Sequence, residues 1–285
     1  VVVLDEVQLL PPDFIEPILM ALRELQKHYG VSLLLMSATQ PALRPYKSSD
    51  FNFSGLPIDS ELADDPAKLH QSLKRVEIEI PNDLNLKKSW KELANELKQY
   101  PTVLCIVNRR DDCQELWELM PENTIHLSKR MCGAHCSEVI SYIKDRLKKG
   151  LSIRVISTQL VEAGVDFDFP VVYRALAGLD SIVQASGRCN REGKLKKGRV
   201  VVFIPPSDIP RGHLKQAAEL GRRLLSESTN DPLAPEQVER FFRELYWIKG
   251  ERLDAKGIIP DLAADPKLRF SFRTAASKFR IIESV

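Results

Sequence analysis

The 285-residue sequence predicts a doubly wound α/β fold, arranged as two units and followed by a helical segment. Three observations predict it. Short runs of β-branched and leucine residues recur along the first two thirds of the chain. Amphipathic helical patterns separate those runs, and that alternation calls for crossover connections and a mostly parallel sheet. From about Ser207 onward the pattern turns helical and charged.

The first run, residues 1–4, is continuously apolar (Val-Val-Val-Leu), as in a strand buried on both faces of a parallel sheet. Pro11, Pro12 and Asp13 open a helix whose apolar face carries Ile15, Ile18, Leu19, Leu22 and Leu25, and Gly30 ends it. A second strand over 31–36 completes a βαβ unit. Residues 41–75 hold several Pro, Ser and Asp and read as a domain edge and linker. A second alternating block follows, with strands over 76–80, 103–107, 124–127, 153–157, 171–173 and 199–204. Its helices fall around 86–100, 111–120, 137–149 and 180–187, and two further helices are expected over 214–226 and 235–249. The expected domains are therefore 1–48, the end of a first α/β unit; 49–75, a linker; 76–206, a complete second unit; and 207–285, a C-terminal accessory segment.

An apolar fraction of 44% is that of an ordinary globular protein, enough for a real core. The formal charge of +2 excludes a chain-wide polycation, so any nucleic-acid surface must be a local cluster. Five cysteines, an odd number without scaffold rhythm, fit a reducing, cytoplasmic setting. Cys132 and Cys136 bracket His135, but no second ligand pair lies at a matching spacing, so they read as packing thiols. No signal peptide or long apolar span is present, and no membrane role is expected. The chain opens on Val1 inside an apolar run, as a fragment of something longer would.

Asp5-Glu6-Val7-Gln8 follows directly on the first strand. Ligands of open α/β sheets bind at the carboxyl ends of strands. An Asp there can hold Mg²⁺ through water, and a neighbouring Glu can orient and deprotonate an attacking water, the two tasks of nucleoside-triphosphate hydrolysis. Ser37-Ala38-Thr39 ends the next strand, where two hydroxyls can hydrogen-bond the carboxylate segment. Further on stands Gln184-Ala185-Ser186-Gly187-Arg188-Cys189-Asn190-Arg191. Arg188 and Arg191 are three apart, hence on one face of a helical turn. Arginine makes forked contacts to phosphate oxygens, and one reaching a γ-phosphate neutralises transition-state charge. Gly187 lets the backbone approach closely. The segment 157–166 follows a strand; its Thr158 suits nucleic-acid backbone, and Gly164 and Asp166 suit nucleotide.

One part of such a site is missing. A phosphate-cradling loop reads Gly-x-x-x-x-Gly-Lys-Ser/Thr. The Gly-Lys pair here, Gly193-Lys194, precedes Leu195, and Arg188 stands where the first glycine belongs. The isolated chain is therefore expected neither to bind ATP tightly nor to hydrolyse it.

These segments together resemble a superfamily 2 helicase. Residues 5–8 look like its motif II, 37–39 motif III, 103–109 motif IV, 157–166 motif V and 184–191 motif VI. The strings 155–166, 173–182 and 184–193 are similar, more narrowly, to the CRISPR-associated helicase-nuclease of type I interference systems. The resemblance implies RecA-like doubly wound sheets, the first lobe incomplete and the second complete. It implies an ATP- and Mg²⁺-dependent single-stranded-DNA translocase of antiviral interference. Its expected partners are single-stranded DNA, the guide-RNA surveillance complex and an N-terminal helicase and nuclease portion.

Residue by residue, the resemblance gives catalytic roles to Asp5, Glu6, Arg188 and Arg191, with Asp5 holding Mg²⁺ through water. Gly164, Asp166, Gln184 and Gly187 take the nucleotide; Gln8, Ser37 and Thr39 couple the lobes. Asn108, Arg109, Lys129, Arg130 and Thr158 take the nucleic-acid backbone. Gln8 stands where many superfamily 2 members carry His or Asp; Gly133 and Cys136 replace a Pro and an Arg common in the family. The alternatives are another superfamily 2 helicase acting on RNA or DNA, or a non-catalytic docking or single-strand-binding module.

Overall fold

The structure, a computed structural model, describes residues 1–227, 231–263 and 269–281. It forms two compact units, one from Val1–Pro66 with Val238–Val285, the other from Ala67–Gln237.

In the first unit, β1 (Val2–Leu4) pairs in parallel with β2 (Leu33–Leu35), and α1 (Ile15–Tyr29) is the crossover between them. Gly30 caps α1 in the left-handed conformation at φ 60°, where a side chain would be strained. Ile15, Leu19 and Leu22 form the buried stripe that the 3.6-residue period predicts. β1 is not buried on both faces as expected. Val3 is exposed and Val2 and Leu4 are half-buried, in a sheet of two strands among the described residues. The stretch read as linker holds an antiparallel pair, β3 (Tyr46–Lys47) and β4 (Asn52–Phe53); α2 (Pro66–Leu73) follows it.

The second unit is built on a six-stranded, wholly parallel sheet. Its strands are β5 (Val76–Glu79), β6 (Thr102–Ile106), β7 (Thr124–Leu127), β8 (Ile153–Ser157), β9 (Val171–Ala175) and β10 (Gly198–Phe203). Their spatial order is β5-β10-β9-β6-β8-β7. The helices α3 (Trp90–Leu97), α4 (Arg110–Glu118), α5 (Gly133–Lys148), α6 (Leu179–Ser186) and α7 (His213–Glu227) complete it. A reciprocal capping box starts α3. Ser89 Oγ accepts the Glu92 amide, and the Glu92 carboxylate accepts the Ser89 amide. Two apolar clusters flank the sheet. One joins Leu93, Leu97, Val103, Cys105, Leu116 and Tyr173. The other joins Leu104, Ile106, Ile143, Val155, Phe167 and Phe169. Alternate residues of β6 go to opposite clusters, as the two-residue strand period requires of a sheet covered on both faces.

Helix α7 crosses the turn after β9 so closely that a Cβ on Gly221 would lie 2.5 Å from the Ala177 carbonyl oxygen. The order β6-β8-β7 places the segments that follow these three strands side by side, and those segments carry the predicted nucleic-acid residues.

The C-terminal helices α8 (Pro235–Lys249), α9 (Ile258–Leu262) and α10 (Phe272–Lys278) include the helix expected over 235–249. Within the first unit Phe53 packs on Tyr246, ring centroids 5.3 Å apart, and Phe14 meets Phe279 edge-on at 5.5 Å.

Candidate nucleic-acid cleft and phosphate-facing loops

In the first unit, Asp5 and Glu6 leave the carboxyl end of β1. Glu6 is left-handed at φ 50°, ψ 47°, an uncommon state for a residue with a side chain. Its amide donates to Asp5 Oδ1 at 2.9 Å. Gln8 Nε2 donates to Glu6 Oε2 at 2.6 Å, and Ser37 Oγ donates to Gln8 Oε1. Ser37 Oγ also accepts the Thr39 amide at 2.9 Å. One hydrogen-bonded chain thus joins Glu6, Gln8, Ser37 and Thr39. The β1–β2 pairing extends into it, with the Met36 amide on the Leu4 carbonyl and the Val7 amide on the Met36 carbonyl. Asp5 stays exposed.

In the second unit a cleft of about 540 Å³ opens beyond the ends of β6, β7 and β8. Asn108, Arg109, Lys129, Arg130 and Thr158 all line it. The sheet therefore gathers five residues from three separated segments. Arg110, Asp111, Gln159, Leu160 and Pro210 complete the wall, so four cations face one carboxylate. That carboxylate is not idle: Asp111 bonds Arg130 and lies 3.6 Å from Arg109. Arg130 also donates to Gln114 at 2.6 Å. Lys129 is exposed.

Asn108 and Thr158 differ from the simple expectation of side chains offered to a ligand. Thr158 is 4% exposed, and its amide donates to the Leu127 carbonyl. Asn108 Oδ1 accepts from Arg174 at 2.7 Å, and its Nδ2 donates to the Leu176 carbonyl at 2.8 Å. Below the cleft, Asp112 is 2% exposed and accepts Ser207 Oγ at 2.8 Å. Burial raises its carboxyl above the usual range against the opposing pull of that hydrogen bond and of Arg109.

The arginine segment is not helical as expected. Helix α6 ends at Ser186 and Gly187 caps it, so Arg188 and Arg191 do not share a helix face. Asn190 turns the chain at φ 47°, its side chain holding the Arg75 and Leu195 carbonyls and the Leu195 amide. The two arginines consequently have different surroundings. Arg188 is 7% exposed; its Nε donates to the Val161 carbonyl at 2.8 Å and its Nη2 to the Glu162 carbonyl at 2.5 Å. Arg191 is half exposed and pairs with Asp166 at 2.9 Å. Gly164, at φ 71° with open space around it, sits exposed in the same loop. The arginine segment and the 157–166 loop are thus joined twice. Gln184 is half-buried on α6 and Gly187 exposed at its end.

Arg174 and Glu162, to which no motif assigns a role, form an ion pair of 2.7 Å with 1% and 7% side-chain exposure. A signal was present: a lone arginine inside the aliphatic run Val171-Val172-Tyr173-Arg174-Ala175, since charged residues are rarely buried without a partner. Burial pushes the Glu162 carboxyl up and Arg174 draws it back, while Asp180 pushes the same way as burial. Burial raises the Cys105 thiol and takes those of Cys113 and Cys189 to about 12, which disfavours their thiolates. Cys132, expected to pack, is instead exposed at the start of α5.

Residues 99–194, which contain both loops and every cleft-lining residue but Pro210, match the family described as CRISPR-associated nuclease/helicase Cas3, C-terminal. Over those residues the chain is similar to the C-terminal region of Cas3. A curated Cas3 of Methanothermobacter thermautotrophicus is 27% identical over 199 residues, 66% of this chain and 23% of that protein. The Cas3 of Haloferax volcanii is 59% identical over 51 residues, 17% of this chain and 5% of that protein. The chain thus spans about a quarter or less of these curated relatives. Among solved structures, T. fusca Cas3-ADP superposes with a TM-score of 0.66 at 18% identity, covering 99% of this chain and 41% of that one. A chain of the CRISPR RNA-guided surveillance complex, pre-nicking, superposes at 0.58 with 17% identity, over 98% and 40%. The six-stranded parallel sheet and C-terminal helices are the RecA-like fold of these Cas3 chains. No helix among the described residues is long and apolar enough to cross a membrane.

Proposed function

We propose that this chain serves an ATP-dependent, single-stranded-DNA translocase of CRISPR antiviral interference, supplying its strand-gripping cleft and part of its phosphate-sensing machinery. The observation that carries the reading is the convergence of Arg109, Lys129 and Arg130, with Arg110, on one cleft at the ends of parallel strands. Such a cluster suits a phosphodiester backbone, and its width of sequence origin suits a strand tracked without base readout. Lys129 and Arg109 are the direct phosphate ligands of this reading. Arg130 joins them when it leaves Asp111, and Thr158 and Asn108 shape the wall.

The nucleotide roles follow the same division. Asp5, an exposed oxygen donor at a strand end, is of the ligand type that Mg²⁺ takes through water. The metal would supply charge neutralisation at the triphosphate. Glu6 orients the attacking water, while Gln8, Ser37 and Thr39 pass the state of that segment onward through their hydrogen bonds. Gly164, Asp166, Gln184 and Gly187 meet the nucleotide. Arg191, already half exposed, reaches the γ-phosphate by exchanging Asp166 for it; Arg188 must first release two carbonyls. Without a phosphate loop, the 285-residue chain turns over no ATP by itself. The surveillance complex and an N-terminal helicase and nuclease portion are its proposed partners, in the cytoplasm.

The test is binding of a fluorescent oligothymidylate to the whole chain, followed by anisotropy as salt is raised. The two direct phosphate contacts, Lys129 and Arg109, on a single strand give a log–log slope near −1.4, so a fourfold rise in salt weakens binding by about sevenfold. A flat salt response, or no binding at low salt, refutes the cleft assignment. ATP turnover by this chain above background refutes the inactivity.

A further inference from the structure

The deepest charge of the second unit touches neither the proposed strand site, other than through Asn108, nor the nucleotide-facing residues directly. Arg174 is the one charged residue of β9. Its guanidinium lies against Glu162 at 2.7 Å and donates Nη1 to Asn108 Oδ1 at 2.7 Å and to the Ala175 carbonyl at 2.8 Å. Asn108 is thereby held at both ends of its amide, by Arg174 and by the Leu176 carbonyl. Its own carbonyl accepts Gln159 Nε2 at 3.2 Å. Both Asn108 and Gln159 line the cleft. On the other side, the backbone carbonyl of Glu162 is one of the two that Arg188 grips. A buried ion pair is seldom more stabilising than apolar packing of the same volume, so its presence calls for a geometric reason. Here the pair spans two places that a motor must keep in register: the wall of the cleft and the turn that carries the phosphate-facing loop.

We propose that Arg174 and Glu162 are positioning residues that fix Asn108 and Gln159 in the cleft wall and tie their placement to the turn held by Arg188. The inference rests on the cleft being a single-strand site. Arg174 touches no phosphate in it; it acts through Asn108. Lysine cannot reproduce the fork, because one ammonium does not reach Glu162, Asn108 and the Ala175 carbonyl in the plane that the guanidinium uses.

The experiment compares oligothymidylate affinity and its salt slope for the full chain and for Lys129→Ala, Arg174→Lys, Asn108→Ala and the Arg174→Lys/Asn108→Ala double variant. Lys129→Ala is expected to flatten the slope by about 0.7, as loss of one phosphate contact requires. Arg174→Lys and Asn108→Ala are each expected to weaken binding by about tenfold at the parent slope, with the double variant no weaker than either, since coupled residues are non-additive. Glu162→Gln, which keeps the shape and removes the charge, carries the same comparison if Arg174→Lys does not fold. Parent-like affinity in the foldable variant, or effects that multiply in the double variant, overturn the inference while the cleft stands. Absent parental binding, or an unchanged slope in Lys129→Ala, overturns the cleft and the inference with it.

Discussion

Replacing Arg188 and Arg191 by alanine, one at a time, separates two arginines that the sequence alone treats as a pair. Arg188 is buried and donates two charge-assisted hydrogen bonds, at 2.8 and 2.5 Å, to the carbonyls of Val161 and Glu162. Hydrogen bonds to charged groups contribute about 1.5–3 kcal/mol each, so their joint loss costs at least about 3 kcal/mol. For a unit of this size that corresponds to a fall in Tm of about 6–12 °C. Arg191 and Asp166 both reach solvent, and exposed ion pairs contribute about 0–1 kcal/mol. Arg191→Ala therefore leaves thermal unfolding, followed by circular dichroism, within about 4 °C of the parent. Arg188→Ala lowers the transition well beyond that. A Tm for Arg188→Ala within the Arg191→Ala range refutes the assignment of Arg188 as the clamp on the 157–166 loop. Equal large losses in both variants would show that the Asp166 pair, too, holds the loop together.

Three further outcomes follow from the second unit. Asp111→Asn frees Arg130 from its carboxylate, so oligothymidylate affinity rises several-fold and the salt slope steepens by about 0.7; an unchanged slope shows that Arg130 takes no phosphate. Gly221→Ala gains about 1 kcal/mol of helix propensity but forces a Cβ to 2.5 Å from the Ala177 carbonyl. Overpacking of about 1–3 kcal/mol wins, and urea denaturation shows a less stable chain; a more stable one would mean that α7 shifts freely. Asp112 binds its proton more tightly folded than unfolded, so its contribution is full below the unfolded pKa and falls as pH rises through the raised one. Asp112→Asn, still able to accept Ser207 Oγ, raises Tm at neutral pH, and its advantage shrinks toward pH values near 4. A variant less stable than the parent at neutral pH contradicts that sign.

Much of the fold was legible locally. Residues 124–127 and 153–157 read as strands with their observed bounds, because β-branched runs between turn residues carry the strand signal within a few positions. The capped α1, with its Gly30 stop, was legible for the same reason. Errors came where non-local context decides. β1 reads as a doubly buried strand, yet burial depends on how many neighbours the sheet supplies. The spacing of Arg188 and Arg191 reads as one helix face, yet Gly187 caps the helix before either.

The candidate site divides along the same line. The sequence by itself determined which chemistry is present. Carboxylates follow one strand, hydroxyls follow the next, basic residues follow others, and a phosphate loop is missing, all visible in short strings. Only the tertiary structure decided which of these meet. The order β6-β8-β7 put 108–109, 129–130 and 158 around one cleft. The same sheet brought Arg174 onto Asn108 across 66 residues of chain. It also buried Arg188 against 157–166 while leaving Arg191 open. Periodicity reports a residue's place on its own strand or helix, but not which strand lies next to it. The distinction between an arginine that grips backbone and one that faces solvent is made by that neighbour.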